Sequence, residues 1–404
     1  MGHLLGTKSS LVPLIDRLNR YPIGLVDSPR LREILSLLFD EHEASVASCF
    51  PLHEATLAEL AERTGTPAAQ LLPILESMAD KGLVMDLPYG EQTYYLLVPG
   101  LIGFMEFTFM RRRARLTADV SMAQLAQLMS EYLHENGRAG QAGEFFGSPT
   151  QLTRALVYRE HVPVESRITD YEDAQRIIEQ TDFCAVTLCY CRHKKEHQGK
   201  SCRKGAPVED VCMVLGEGAR FLVRRGFARE LDKSSMLVKL QQAHALGLTH
   251  VTDNVREQPS FLCNCCRCCC ELMAGVQSGF EDGIAKAPFL ATIDGERCDY
   301  CGECLKTCNV KCIGLADDAR DGPGSGRYAG VDTKVCLGCG ACIDACEHDA
   351  IQLVPRPDAK MPPKNKGRMF SRILWEKGRL WPFIADGASR GWRTMTRGWW
   401  GGSQ

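Results

Sequence analysis

No run of about 18 uninterrupted apolar residues, the length a helix needs to span a bilayer, occurs in the 404-residue chain. The nearest candidate, Tyr94–Met110, is broken by Pro99 and Glu106. The opening MGHLLGTKSS has none of the charged region, apolar run or small-residue cleavage site of a secretory signal. Net charge is only −2, with 24% charged and 45% hydrophobic residues, which excludes collagen-like, coiled-coil and wholly disordered classes. No G-x-G-x-x-G opens a helix after a strand, and there is neither a P-loop nor a clear nucleophile–base pair, so no nucleotide or flavin site is expected. These absences predict a cytoplasmic chain that does not span a membrane.

Cysteine is abundant: there are 21. A long chain without an export signal is not expected to store them as disulfides. Runs as tight as Cys268-Cys269-Cys270 point to soft metal ions or iron–sulfur clusters.

Eight cysteines form one repeated spacing. Cys298, Cys301, Cys304 and Cys308 make C-x-x-C-x-x-C-x-x-x-C, and Cys336, Cys339, Cys342 and Cys346 repeat it 38 residues later. Gly302, and Gly338 with Gly340, are small enough to let the backbone close around a cubane and donate N–H bonds to sulfur. Over roughly residues 290–355 the pattern resembles the bacterial-type two-cluster ferredoxin. The resemblance implies two [4Fe–4S] clusters, one on Cys298, Cys301, Cys304 and Cys346, the other on Cys336, Cys339, Cys342 and Cys308. Asn309 and Glu347 depart from it, standing where proline usually follows the fourth cysteine. Cys312 departs too, replacing a small apolar residue. These changes bear on local packing and reduction potential. The insert Asp317–Ala329 lengthens the loop between repeats and is a candidate partner contact.

Residues 181–285 hold eleven cysteines, ten of them candidate metal ligands: Cys189, Cys191, Cys202, Cys212, Cys263, Cys265, Cys266, Cys268, Cys269 and Cys270. Phe183–Cys191 and Phe261–Cys266 read as strands, whose alternation puts Cys189 with Cys191, and Cys263 with Cys265, on one face. A helix around Val208–Arg225 would carry Cys212 in its first turns, and another spans Ser235–Leu246, stopped by Gly247. The expected architecture is α/β. A third iron–sulfur cluster is the preferred occupant, on Cys191, Cys202, Cys212 and one of Cys263–Cys266. A larger cluster stays open, and structural zinc, with His193 and His197 at hand, is the alternative. The layout C-x-C-R, two spaced cysteines, then F-L-C-N-C-C-x-C-C-C resembles a family of uncharacterised iron–sulfur binding proteins of anaerobic microbes. That family also joins a winged-helix-like start to a ferredoxin-like end, and brings no activity with it.

Toward the amino end, Leu31, Ile34, Leu35 and Leu38 give Pro29–Asp40 one buried face. Leu57, Leu60 and Ala61, then Leu71, Leu72, Leu75 and Met78, mark two further helices around Thr64–Pro67, with Thr66 as cap and Pro67 opening the second. Leu83–Leu87 and Gln92–Val98 form a hairpin. Helix, turn, helix and hairpin resembles a winged helix over about 50 residues. From Glu54 to Val98 seven acids face two bases, so protein docking or dimerisation is expected rather than DNA binding. Arg111, Arg112, Arg113 and Arg115 read as a solvated helix face. Residues 116–180 read as mostly helical, with Leu125, Met129 and Leu133 on one face.

From Arg356 onward eleven bases face three acids, and all five tryptophans, Trp375, Trp381, Trp392, Trp399 and Trp400, lie in this stretch. Residues 355–367 read as a linker. Phe370, Ile373, Leu374, Trp381 and Ile384 then suit a partner protein, an anionic membrane surface or the chain's own body, with nucleic acid last.

The prediction is an α+β multidomain chain. It comprises a winged-helix-like domain (1–115), a helical segment (116–180), a cysteine-rich metal-binding domain (181–285), a dicluster ferredoxin domain (286–355) and a basic Trp-rich tail (356–404). The ferredoxin resemblance implies single-electron relay to a redox partner protein, as a carrier or oxidoreductase component rather than a stand-alone enzyme. A redox-sensing transcription regulator and a reductase with a substrate-binding cluster are the competing readings. The expected location is the cytoplasm, with the tail as a peripheral contact to the inner membrane face.

Overall fold

A computed structural model describes residues 11–113, 116, 120–163, 169–317 and 327–387. Arg115, the middle of the 317–329 insert and Trp392, Trp399 and Trp400 lie outside the described residues.

The amino-terminal region opens with α1 (Leu11–Leu18), α2 (Pro29–Leu38) and α3 (Glu41–Ser48). Ser28 caps α2 by accepting the Leu31 N–H at 3.1 Å, and Asp40 with Glu43 forms a reciprocal capping box on α3. Next come β1 (Ala55–Thr56), α4 (Leu57–Thr64) and α5 (Ala68–Lys81). Gly65 and Gly82 end the two helices in the left-handed conformation. The hairpin β2 (Val84–Tyr89) and β3 (Gln92–Leu97) completes a three-stranded antiparallel sheet in the order β1-β3-β2. Leu31, Ile34, Leu35, Leu60, Leu71, Leu75 and Met78 are buried as the periodicity predicts, whereas Leu72 turns outward. Two short helices, α6 (Met105–Thr108) and α8 (Gln141–Phe146), flank α7 (Met122–His134). Met122, Leu125 and Met129 of α7 enter the same core.

Residues 116–180 are not wholly helical. They include β4 (Thr153–Ala155), which is too short for any periodicity to show, followed by α9 (Ala174–Gln180). β4 is the edge of a six-stranded sheet with β5 (Cys184–Thr187), β6 (Cys212–Leu215), β7 (Ala228–Glu230), β8 (Thr249–Asp253) and β9 (Phe261–Cys265). Its order is β4-β8-β9-β6-β5-β7 and every pairing is antiparallel. That corrects the expected α/β middle, because crossover helices do not join parallel strands here.

Two secondary-structure expectations near the cysteines are also overturned. The strand from Phe183 ends at Thr187, and α10 (Tyr190–His197) begins at once, so Cys189 and Cys191 are not on a strand. Cys212 opens β6 instead of sitting in a helix, since Gly216, at φ +63°, breaks the expected helix and starts α11 (Gly216–Arg224) there. α12 (Lys233–Ala245) and α13 (Glu271–Gln277) complete the helices of this region.

Downstream, β10 (Phe289–Ile293) pairs with the distant β13 (Ile351–Pro355), while β11 (Ile313–Asp317) pairs with β12 (Arg327–Val331). The short α14 (Glu303–Thr307) lies within the first motif run and carries Cys304. Arg356 fastens this module, donating to the carbonyls of Ala287, Phe289, Thr333 and Cys336.

The first part of the tail folds back on the body. In α15 (Lys366–Glu376), Met369 and Ile373 pack with Ile23, Leu152 and Val255. Leu374, with Phe383 of α16 (Leu380–Gly387), joins the amino-terminal core. Lys377 and Arg379 clamp Glu144 at 2.8 and 2.7 Å. Trp375 and Trp381 stay exposed. Among the described residues no helix is long and apolar enough to cross a membrane.

Candidate functional site

In the downstream module the two cysteine sets that the ferredoxin resemblance implies differ in depth. Cys301 is exposed, Cys298 and Cys346 are half-buried and Cys304 is buried. In the other set Cys308, Cys336 and Cys342 are buried and Cys339 is partly so. Backbone N–H groups converge on the sulfurs. Ala350 donates to Cys346 Sγ at 3.4 Å and Cys312 to Cys308 Sγ at 3.3 Å, while Gly338 and Ala341 serve Cys336 and Cys339. Gly338 has φ +72°, and a Cβ there would lie 2.0 Å from the Phe289 carbonyl oxygen, so the loop requires glycine. Hydrogen bonding from Cys312 draws the Cys308 and Cys336 thiols down to about 6, against the opposing effect of burial. An all-thiolate donor set ringed by N–H donors fits an iron–sulfur cluster.

The ten middle cysteines separate into two sulfur groups. Cys202, Cys266, Cys268 and Cys269 bring their sulfurs within 4.8 Å of one another. Cys202 lies 3.6 Å from Cys266 and 3.7 Å from Cys268, and Cys268 lies 3.7 Å from both Cys266 and Cys269. The remaining six thiols interact as a closed ring: Cys189 with Cys191, then Cys270, Cys265, Cys263, Cys212 and back to Cys189.

Four elements build that ring. Cys189 is fixed by its N–H bond to the Val208 carbonyl at 2.8 Å, just ahead of Cys191 in the first turn of α10. Cys212 begins β6, which pairs with β9 through Met213 opposite Leu262. Cys263 and Cys265 alternate along β9 as expected, and Cys270 stands at the start of α13. The grouping parts Cys202 from Cys191 and Cys212, three residues that sequence spacing had combined in one set. His193 and His197 join neither group: His193 Nδ1 meets the Phe109 carbonyl at 2.7 Å, and the two imidazoles meet each other.

Arg192 is a residue the sequence reading passed over, although it completes the C-x-C-R string. It is 3% exposed, donates from Nη2 to the Asn264 carbonyl at 2.9 Å, and forms no ion pair with a carboxylate among the described residues. Its Nε and Nη1 are buried, and apart from the Asn264 carbonyl its side-chain neighbour is the Cys202 thiol. Burial disfavours its charge, but Cys189, Cys266 and Cys212 hold it firmly protonated. All six ring cysteines and Arg192 line a cavity of about 180 Å³, walled by apolar side chains such as Phe107 and Phe145.

The ferredoxin-like module is bolted to the middle sheet beside these sulfurs. Asn309, 2% exposed, accepts the Arg267 N–H at 3.1 Å and donates to the Gly247 carbonyl and Thr249 Oγ1 at 2.8 and 2.9 Å. A proline there would form none of these three bonds, which accounts for the departure from the ferredoxin pattern. Thr249 Oγ1 donates in turn to Cys339 Sγ at 3.5 Å. Lys204 bridges the same seam, donating to the carbonyls of Gly247 and Thr307. Asp344, just after Cys342, reaches His161 at 2.8 Å and His244 at 2.9 Å. Glu347 is exposed and carries no comparable role. Cys49 and Cys184 stand apart from every sulfur group.

Comparison with known families finds one match: a 4Fe-4S binding domain at residues 329–352, the stretch that holds Cys336, Cys339, Cys342 and Cys346. No curated protein and no solved structure matches the chain. The chain is an iron–sulfur protein with a 4Fe-4S binding domain in its carboxyl-terminal third.

Proposed function

We propose that this iron–sulfur protein relays single electrons to a partner redox protein. One [4Fe–4S] cluster sits on Cys298, Cys301, Cys304 and Cys346, a second on Cys336, Cys339, Cys342 and Cys308, and the middle cysteines hold further metal. When bound, such clusters accept and release one electron with little movement of atoms. The observation that carries the reading is the gradient in burial. Exposed Cys301 offers a docking edge, the Cys308 set lies deeper, and Asn309, Thr249 and Lys204 fasten that set against the middle sulfurs.

The amino-terminal helices and hairpin serve as a winged-helix-like docking module, and not as a DNA reader. Two features support this: the seven acids against two bases, and the use of Glu76, Asp80 and Asp86 to grip Arg225 of the middle region at 2.9, 3.0 and 3.0 Å. Exposed Trp375 and Trp381 on the basic tail supply anchors for the partner.

Anaerobic purification followed by iron and sulfide analysis, with paramagnetic resonance before and after dithionite, tests the reading. About eight irons and eight sulfides that respond to dithionite are expected from the ferredoxin-like module alone. Colourless, zinc-loaded protein that does not respond to dithionite overturns it.

A further inference from the structure

Four thiolates around one tetrahedral ion with bonds of about 2.3 Å place their sulfurs about 3.8 Å apart. Thiolates on the corners of a cubane stand wider, at about 6 Å. The Cys202, Cys266, Cys268 and Cys269 sulfurs, at 3.6–3.7 Å for the four closest pairs, match the first spacing. N–H donation from Arg203 to Cys268 Sγ at 3.4 Å supports thiolate character there.

The six-membered ring is a different object. Its six sulfurs line one cavity and are not drawn within 4.8 Å of one another as the other four are, so they enclose a space instead of converging on a point. Six thiolates exceed what one tetrahedral ion takes, and they suit several metal centres bridged by sulfide. Arg192 gives an independent sign. A guanidinium this deeply buried, with no carboxylate partner among the described residues and the Cys202 thiol as its side-chain neighbour, faces the cavity that the six sulfurs line. Such a cation is stable only beside concentrated negative charge. A thiolate-ligated cluster on the ring, together with a four-thiolate ion on the other side, supplies it.

We infer that the middle cysteines build two separate centres. Cys202, Cys266, Cys268 and Cys269 hold a single zinc or iron ion, and Cys189, Cys191, Cys212, Cys263, Cys265 and Cys270 hold a polynuclear iron–sulfur cluster that opens on the cavity. The inference rests on the reading of these cysteines as metal ligands and divides it in a way that the spacing in sequence does not.

The test is metal and acid-labile sulfide analysis of the full chain, purified without oxygen, for wild type, Cys268→Ser, Cys191→Ser and Cys263→Ser. The dithionite-reduced resonance of the ferredoxin-like module is recorded as an internal control for folding. Wild type should carry clearly more than eight sulfides. Cys268→Ser should lose one metal ion, zinc or iron, and no sulfide. Cys191→Ser and Cys263→Ser should each lose iron and sulfide together while keeping that ion. If a ring variant does not fold, X-ray absorption at the iron and zinc edges of wild type gives the same answer through the presence or absence of an all-thiolate mononuclear ion. Eight sulfides in wild type with the ferredoxin resonance intact would overturn the ring cluster and leave the electron-relay reading standing. Loss of sulfide from Cys268→Ser would overturn the division into two centres. Fewer than eight sulfides with no reducible signal would instead overturn the relay reading itself.

Discussion

Cys312 Sγ lies 3.4 Å from Cys308 Sγ, and the same residue's backbone N–H donates to that sulfur at 3.3 Å. With Cys308 as a cluster thiolate, the Cys312 thiol is the donor of an S–H bond to it. Such donors stabilise the more negative, reduced state. Cys312→Ala is expected to keep the iron content of the module and lower the midpoint potential of its inner cluster by tens of mV, on the order of other ligand hydrogen bonds. A redox titration followed by paramagnetic resonance checks this; loss of iron would make Cys312 a ligand.

Asn309 connects two regions that sequence analysis treats as separate. Asn309→Ala leaves the Arg267 N–H, the Gly247 carbonyl and Thr249 Oγ1 short of a buried partner. A destabilisation of about 2–3 kcal/mol is expected. Amide hydrogen exchange should rise at Arg267, and thermal unfolding of the loaded protein should begin at the ferredoxin-like module.

Gly338→Ala forces a Cβ against the Phe289 carbonyl, at a backbone angle that L residues seldom adopt. The loop presenting Cys336, Cys339 and Cys342 must shift, and about four of the irons should be lost. Gly302→Ala is the milder comparison, because its Cβ would meet nothing within 4 Å. Iron analysis of the two variants side by side is the measurement.

Glu106 accepts the Gly103 N–H at 2.7 Å, and burial raises its carboxyl from 4.5 to about 7. The folded state therefore holds this proton more tightly than the unfolded chain. Stability supplied by the protonated form is complete below about 4.5, declines as pH rises to about 7 and is flat beyond. Glu106→Gln should remove that slope and raise stability at pH 8 by about 2–3 kcal/mol. Denaturant titrations at pH 5 and pH 8 read the difference.

Where local chemistry decides structure, the sequence was informative. Gly65 and Gly82 stand at the helix ends around α5, although the expected Thr66 cap does not form because Pro67 itself takes the N-cap place; the apolar spacing of α5 finds its buried face apart from Leu72, and a repeated cysteine spacing led to the 4Fe-4S domain. Short apolar runs were not decisive. Phe183–Cys191 is too brief to tell a strand from a strand followed by a helix. Cys212 changed element because a left-handed glycine lies four residues on. The division of the middle cysteines was hidden for another reason. It depends on which strands pair: β9 lies between β8, its predecessor in the chain, and β6, which β7 and β8 separate from it in the sequence.

The octapeptide Cys263–Cys270 feeds both sulfur groups, and its first three residues end strand β9, which pairs with β6 at Phe261 and Leu262 and with β8 through Cys265. Side chains along a strand alternate, so a one-place slip of that strand would swing Cys263 and Cys265 to the opposite face of the sheet. On the proposed assignment, a chain that paired β9 one place out of step would withhold two of the six thiolates from the cavity, so a single ladder offset decides whether that centre can assemble.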